Sequence, residues 1–141
     1  NRSAYIRVPE YQPGKEKATR IELRSPDPGC NVYLAMALML AAGLDGIKNQ
    51  VPLPSPVEAN IYELSIRKQK KAGIQLLPRN LQEGIKTMEK SQLVRETLGE
   101  HIFQKFLANK QKEIEDYLKS VPKEYDQQVS PYEIKRYLPM L

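Results

Sequence analysis

Charged and apolar side chains alternate in the segment Arg20-Ile21-Glu22-Leu23-Arg24. Because side chains two residues apart lie on the same face of a β-strand, the alternation predicts that the three charged side chains share one face. Two guanidinium groups beside a carboxylate suit a place where a divalent cation meets phosphate oxygens, since the carboxylate can bind the metal and each arginine can bind anionic oxygens. The alternative is a surface ladder of ion pairs, each contributing about 0–1 kcal/mol to stability.

Two more arginines, Arg2 and Arg7, lie near the same segment. Their spacing gives them opposite faces on a regular strand, so Arg2 must precede the strand or lie at a bend if both bind one ligand. Residues 3–8 and 19–25 have the composition of strands, and the turn signal Pro13-Gly14 lies between them. The sequence therefore predicts an antiparallel hairpin, and because two strands alone are marginally stable in water, we expect it to belong to a larger sheet.

The rest of the chain has a helical pattern. Asn31 can cap a helix that runs to Leu44, and because this segment is apolar all round, we expect it to be buried on every side. Apolar residues recur at helical spacing, every three or four positions, from residue 81 to 90. The same spacing continues from Ile102 to Val121, and this run predicts the longest helix. The motif Ser130-Pro131-Tyr132-Glu133 predicts a capped C-terminal helix. The expected fold class is α+β, a short antiparallel hairpin followed by a mainly helical remainder.

The composition narrows the functional classes. The chain has 141 residues, 40% of them hydrophobic, which suits one domain, and its 22 Lys and Arg against 17 Asp and Glu give a net charge of +5. One cysteine and one histidine exclude a disulfide framework and a four-ligand zinc site. The longest apolar stretch is too short to cross a membrane, so we expect a cytoplasmic protein without a membrane partner. No aromatic residues interleave with the basic run at residues 67–71, so nucleic acid is not an expected partner.

Three motifs, at residues 1–9, 20–28 and 40–49, closely resemble the C-terminal third of glutamine synthetase. They read Asn1-Arg2-Ser3-Ala4 with Ile6-Arg7-Val8-Pro9, then Arg20-Ile21-Glu22-Leu23-Arg24-Ser25-Pro26-Asp27-Pro28, then Leu40-Ala41-Ala42-Gly43-Leu44-Asp45-Gly46-Ile47-Lys48-Asn49. Later stretches resemble the long bacterial and archaeal type: Asn60-Ile61-Tyr62, Leu98-Gly99-Glu100-His101 and Val129-Ser130-Pro131-Tyr132-Glu133. The resemblance covers residues 1–141 as the C-terminal part of the catalytic domain, with active-site strands in 1–28 and a mostly helical part in 31–141.

The resemblance implies an ATP-dependent ligase that makes glutamine from glutamate and ammonia through γ-glutamyl phosphate. It also implies Mg²⁺ or Mn²⁺ as cofactor, ATP as co-substrate, and a homo-oligomer, a dodecamer for the parent enzyme. Phosphoryl transfer depends mostly on positioning and charge neutralisation, which arginines and metals supply. By the same resemblance Arg2 and Arg7 contact the ATP phosphates, Arg20 lies on the nucleotide side, and Lys17 matches a further nucleotide contact beyond a loop of variable length.

The remaining site residues are also assigned by the resemblance. Glu22 matches a metal-binding glutamate, Arg24 matches the arginine that binds the substrate glutamate, and Tyr62 falls where some members carry a regulatory nucleotidylation tyrosine. No residue is assigned a catalytic role independent of substrate binding. The lone His101 is interpreted as a packed or capping residue and not as a ligand.

Two departures from the family pattern matter. Val32 replaces the proline of the motif Asn-Pro-Tyr, and the chain contains no match to the family's other metal ligands, its ammonia-contacting loop or its N-terminal domain. Because the sequence also begins at Asn1 with a strand-like segment, we expect it to be part of a longer protein and to be inactive alone. The alternatives are a free-standing module for assembly or regulation, and a relative that joins glutamate to polyamines or aromatic amines.

Overall fold

The computed structural model describes residues 4–122 and 128–140. In chain order the elements are β1 (Ile6–Arg7), β2 (Glu22–Leu23), α1 (Val32–Lys48), α2 (Ile66–Lys71), α3 (Leu81–Glu89), α4 (Gln92–Ser120) and α5 (Pro131–Tyr137). Short 3-10 helices span Glu16–Ala18, Ile61–Glu63 and Leu138–Met140. The predicted α+β fold class, a short antiparallel hairpin with a helical remainder, is confirmed.

The described residues form two compact units. Residues 4–27 and 52–76 make the first unit, which contains β1, β2 and α2. Residues 28–51, 77–122 and 128–140 make the second unit, which contains α1, α3, α4 and α5. No helix of the described ranges is both long enough and apolar enough to span a membrane.

The hairpin of the first unit pairs β1 with β2 in antiparallel register, with Arg7 opposite Glu22. The turn between them contains Gly14 at φ +81°, a left-handed conformation that glycine adopts without steric cost. Each strand has only 2 residues and is shorter than predicted. Strand β1 ends at Arg7, shortly before Pro9, which has no N–H to donate to a ladder, and β2 begins only at Glu22, after the 3-10 helix Glu16–Ala18 and three further residues.

Helix α1 begins where the sequence predicts, at the cap Asn31. The side-chain oxygen of Asn31 accepts hydrogen bonds from the backbone N–H groups of Tyr33 and Leu34, at 3.1 and 3.2 Å. These contacts satisfy two donors that a helix start leaves unpaired. The helix continues past the predicted end at Leu44, to Lys48.

The prediction that α1 is buried on every side is wrong. Its half-buried face includes Leu34, Leu38 and Ala41, which recur at helical spacing. The helix packs against α4, and no described residue covers its opposite face. That face is an exposed apolar stripe made of Tyr33, Met36, Leu40, Leu44 and Ile47. An apolar composition indicates which surface needs covering, whereas burial depends on the elements that are present to cover it.

The core of the second unit is formed by residues of α3 and α4, and α4 also packs against α1. Ile85 of α3 and Leu98 and Phe103 of α4 are its buried apolar side chains among the described residues, and the Phe103 side chain is 0% exposed. The Arg95 guanidinium lies 4.2 Å from the centroid of the Phe103 ring, a cation–π contact. Gly99, at φ 72° and ψ 155°, interrupts α4, so the predicted longest helix contains a kink.

Helix α5 is capped as predicted and is tied to α4. Ser130 Oγ accepts the Glu133 backbone N–H at 3.2 Å, and a Glu133 carboxylate oxygen accepts the Ser130 N–H at 2.7 Å, which completes the capping box. The Tyr137 hydroxyl donates to the Glu113 carboxylate, whose other oxygen binds Lys110 Nζ at 2.8 Å. Burial and the neighbouring carboxylate raise the pKa of Tyr137 to about 12.

Candidate functional site

The carboxylate of Glu22 bridges two arginines of the first unit. Arg7 Nη1 donates to Glu22 Oε2 at 2.8 Å, and Arg20 Nη2 donates to Glu22 Oε1 at 2.8 Å. The strand register places Arg7 directly opposite Glu22. Arg20 lies two residues before Glu22 and reaches it from the same face, as the alternation of side chains along extended chain requires. We call this cluster the arginine–glutamate triad.

The triad is accessible to solvent. The side chains of Arg7, Arg20 and Glu22 are 47%, 56% and 30% exposed. The hydrogen bond from Arg7 holds the pKa of the Glu22 carboxyl below its ordinary value, and the Arg20 hydrogen bond and the two positive charges act in the same direction. With two guanidiniums and one carboxylate, the triad carries a net positive charge that a dissolved anion can reach.

Arg7 and Arg20 also line an open depression of about 550 Å³. Lys15 adds a third cation to its lining, and Glu10 adds a carboxylate. Tyr11 also lines the depression. A concave surface with several converging cations favours an anionic ligand such as a phosphate group.

The loop that forms one wall of the depression is organised by Glu16. Its Oε1 accepts hydrogen bonds from the Tyr11 hydroxyl at 3.0 Å and from the Gly14 backbone N–H at 2.9 Å. Hydrogen bonds from its own backbone N–H, from Gly14 and from Tyr11 hold the pKa of Glu16 below the ordinary value. Glu16 is therefore ionised at neutral pH. Its carboxylate hydrogen-bonds both Tyr11 and Gly14, and these two contacts hold the loop from residue 11 to residue 16 in one conformation.

The structure places the other residues singled out in the sequence as follows. Arg2 lies outside the described residues. Lys17 lies in the 3-10 helix Glu16–Ala18, exposed, and is not among the described residues that line the depression. Arg24 follows β2, and its backbone N–H donates to the Tyr5 carbonyl oxygen at 3.0 Å. The Tyr62 side chain is 82% exposed in a 3-10 helix, and His101 is exposed on α4.

Sequence reasoning did not select Lys15 as a site residue. The turn signal Pro13-Gly14 comes directly before it, but a turn signal does not indicate the direction in which the next side chain points. Only the traced loop shows that Lys15 faces the same depression as Arg7 and Arg20.

The described residues do not form a complete divalent-metal site. Within ranges 4–122 and 128–140, no group of three or more His, Cys, Asp or Glu side chains is placed to hold a metal ion. Both oxygens of the Glu22 carboxylate already accept hydrogen bonds from guanidinium groups. Since Mg²⁺ takes near-octahedral oxygen coordination, this part of the chain offers one carboxylate and not a full ligand set.

The carboxyl group of Glu22 should titrate below the ordinary glutamate value near 4.5. Because its pKa in the folded state is lowered, the stability from the triad is present above the unfolded-state pKa and is lost as pH falls through the folded-state pKa. Side-chain ¹³C NMR can follow the titration. Arg7→Ala should move the midpoint toward the ordinary value, whereas Arg67→Ala, an exposed arginine of α2, should not. An unchanged midpoint in Arg7→Ala would contradict this assignment.

Comparisons with known proteins identify similar sequences along the whole chain. A family model described as "Glutamine synthetase, catalytic domain" matches residues 1–137. The chain is 44% identical over 138 residues to "Glutamine synthetase" of Thermotoga maritima and 47% identical over 141 residues to "Glutamine synthetase" of Methanosarcina mazei. These alignments cover 98% and 100% of this chain, and the chain spans 29% of the length of each of these curated relatives. A third "Glutamine synthetase", from Methanocaldococcus jannaschii, is 46% identical over 121 residues, which are 86% of this chain and 26% of the relative.

Proposed function

Because this chain belongs to the glutamine synthetase family, we propose that it supplies the C-terminal part of the catalytic domain of an ATP-dependent glutamate–ammonia ligase. In this proposal residues 1–28 contribute active-site strands and residues 31–141 form a mostly helical part. The parent enzyme is a cytoplasmic homo-oligomer. The chain is inactive alone, because it covers 29% of the relatives' length.

The observation that carries the proposal is the arginine–glutamate triad beside the depression. In the proposed reaction the γ-phosphoryl group of ATP passes to the side-chain carboxylate of glutamate, which gives ADP and γ-glutamyl phosphate. Ammonia then attacks the acyl carbon, phosphate leaves with the bonding electron pair, the attacking nitrogen releases one proton, and glutamine forms. Each step moves negative charge on phosphate oxygens, and fixed guanidinium groups stabilise that charge without reorganising.

We assign roles to the residues of the triad accordingly. Arg7 and Arg20 bind phosphate oxygens of the nucleotide, together with Arg2 and Lys17 as the family resemblance implies. Glu22 holds the two guanidiniums in place through its 2.8 Å ion pairs. It also offers one carboxylate to a Mg²⁺ or Mn²⁺ site whose other ligands come from outside the described residues. Arg24 binds the substrate glutamate, and Tyr62 is an exposed candidate for modification.

The exposed apolar stripe of α1 supports the proposal that the chain works within a larger protein. Its members Leu40 and Ile47 are 66% and 77% exposed, and the stripe runs the length of the helix. A contiguous apolar surface of this kind is rarely left open in a stable soluble domain. The same observation also favours the second candidate function, a module that acts through its helices in assembly. Mg²⁺-dependent ATP binding by the chain favours the ligase proposal, whereas self-association without nucleotide affinity favours the module.

The isolated 141-residue chain should show no glutamate- and ammonia-dependent release of ADP. A single carboxylate with two paired arginines can attract a nucleotide, but it does not position both substrates for transfer. A coupled ADP assay with the purified chain tests this expectation, with reactions lacking ammonia or glutamate as blanks. Release that depends on both substrates and disappears in Glu22→Ala would contradict the proposed inactivity.

A further inference from the structure

Helix α2 carries four cations within its six residues and no carboxylate. The cations are Arg67, Lys68, Lys70 and Lys71, and all four are exposed. We call them the α2 basic patch. Because an α-helix turns by about 100° per residue, the four side chains lie within an arc of about 160° on one side of the helix. The patch is therefore one continuous positive surface and not a ring of separate charges.

The opposite side of α2 is fixed by Gln69. At about 100° per residue, Gln69 projects about 180° away from the centre of the patch. Its side-chain amide donates to the carbonyl oxygens of Ile61 and Leu64, at 3.1 and 3.0 Å. These contacts tie α2 to the 3-10 helix Ile61–Glu63 of the same unit. Since the Gln69 side is held against the unit, the α2 basic patch faces solvent.

Both ends of this short helix are capped. Ser65 Oγ accepts the Lys68 backbone N–H at 3.4 Å. At the other end Gly73 takes φ +69°, and the Ile74 N–H donates to the Gln69 carbonyl at 3.0 Å. The α2 basic patch is thus presented from a backbone that is held at both ends.

No carboxylate neutralises the α2 basic patch. Among the residues that the structure describes, none of its four cations forms an ion pair. The acidic residues of the range 52–76 are Glu58 and Glu63, and Glu63 accepts the Asn60 side-chain amide at 2.7 Å. Like charges three and four residues apart destabilise a helix. The patch therefore holds a mutual repulsion that a bound anion would relieve.

We propose that the α2 basic patch is a docking surface for an acidic segment of a partner protein. This inference does not rest on the proposed ligase function, because it uses no residue of the triad or the depression. Charge complementarity gives the chemistry of the partner. The helix extends about 9 Å at about 1.5 Å per residue. Carboxylates on one side of an extended peptide recur about every 7 Å, so a short run of glutamates or aspartates spans the patch.

The composition of α2 favours an acidic protein segment over other polyanions. Bases of single-stranded nucleic acids stack on aromatic side chains, and residues 65–73 contain none. Helices that lie on anionic membranes bury a broad apolar face, and Ile66 is the one apolar residue of α2. A peptide carboxylate needs neither feature, because an ion pair with an exposed ammonium or guanidinium group is sufficient.

Binding of a fluorescein-labelled hexaglutamate peptide to the full 141-residue chain tests the inference. Fluorescence anisotropy is measured at about 0.15 M salt, where exposed charges more than about 8 Å apart are largely screened. The patch variant combines Arg67→Gln, Lys68→Gln, Lys70→Gln and Lys71→Gln. The matched control removes the same charge from exposed lysines of the second unit: Lys86→Gln, Lys90→Gln, Lys105→Gln and Lys119→Gln.

The patch variant should bind the peptide at least about tenfold more weakly, because four exposed charge contacts are lost together. The matched control should stay within about twofold of the unchanged chain. Glutamine keeps a helix propensity close to that of lysine and arginine, so circular dichroism should show the same helix content for all three proteins. Lys71→Glu, a single charge reversal at the last residue of α2, should weaken binding about three- to tenfold and serves if the patch variant does not fold.

Each outcome supports or overturns the proposal. A loss confined to the patch variant supports it. Equal losses in the patch variant and the matched control would show that net charge alone attracts the peptide and would overturn it. Unchanged binding in the patch variant, or no measurable binding to the unchanged chain, would also overturn it. Tighter binding of hexauridylate, or of vesicles with equal parts phosphatidylserine and phosphatidylcholine, would overturn the acidic segment in favour of nucleic acid or membrane.

Discussion

Replacing Phe103 with alanine should lower the free energy of unfolding of the second unit by about 3–5 kcal/mol, the range for truncating a buried aromatic residue. The Phe103 side chain is 0% exposed, and the Arg95 guanidinium lies 4.2 Å from the centroid of its ring. Truncation removes the apolar contacts, leaves a cavity and ends the cation–π contact together. Since small domains are stable by only about 5–15 kcal/mol, the loss should be visible as unfolding at a much lower denaturant concentration.

Urea denaturation followed by circular dichroism measures this effect, and the chain contains its own control. Phe106 is the other of the two phenylalanines, lies on the same helix and is only half-buried. Phe106→Ala should therefore lose clearly less stability than Phe103→Ala. If the two variants unfold at the same urea concentration, Phe103 is not the centre of this core.

The second large effect is expected for Glu22→Gln in the complete ligase that contains this chain. The specificity constant kcat/KM should fall by about 10²–10³-fold, the order of the rate loss when one preorganised hydrogen-bond donor is removed from an oxyanion hole. A neutral amide cannot compensate two guanidiniums, so Arg7 and Arg20 repel one another and leave the positions that the 2.8 Å ion pairs define. Glutamine keeps the shape of glutamate, which limits any loss of folding.

Steady-state kinetics with varied ATP measures this effect, and Glu58→Gln serves as the matched control. Glu58 is an exposed glutamate of the same unit, at a position outside the triad and the depression. Its replacement should leave kcat/KM within about twofold, as for a screened surface charge. Equal activity of Glu22→Gln and the unchanged enzyme would show that the triad does not take part in the reaction.

Local signals in the sequence predicted the local features of the fold. Asn31 and Ser130 were recognised as caps because a cap depends on one side chain and on the next three backbone N–H groups. The turn at Pro13-Gly14 was predictable for the same reason, since Gly14 takes a positive φ that other residues avoid. Such features involve few residues and do not depend on the rest of the molecule.

Features that depend on distant partners could not be predicted in the same way. The apolar character of α1 indicated burial on every side, yet its exposed apolar stripe has no covering element in the described part of the chain. The kink at Gly99 was also missed. A glycine within an amphipathic run is compatible with a continuous helix, and only its φ of 72° shows the break.

The candidate site also combines local features, which the sequence predicts, with features that depend on distant residues, which it does not predict. Side-chain alternation predicted that Arg20 and Glu22 share a face, because parity along a strand is a local property. The pairing of Arg7 with Glu22 depends on the register between two strands, which the alternation within one strand does not determine. The position of Lys15 depends on the conformation of an entire loop, so no spacing rule could identify it.

Glutamate- and ammonia-dependent release of ADP by the native protein tests the central proposal most directly. The protein would be captured from its source cells with an antibody against residues 98–117, and its mass would be recorded in the same preparation. The proposal predicts a species several times heavier than 16.2 kDa whose ADP release stops when either substrate is omitted. A captured species close to 16.2 kDa that releases no ADP with both substrates present would contradict it.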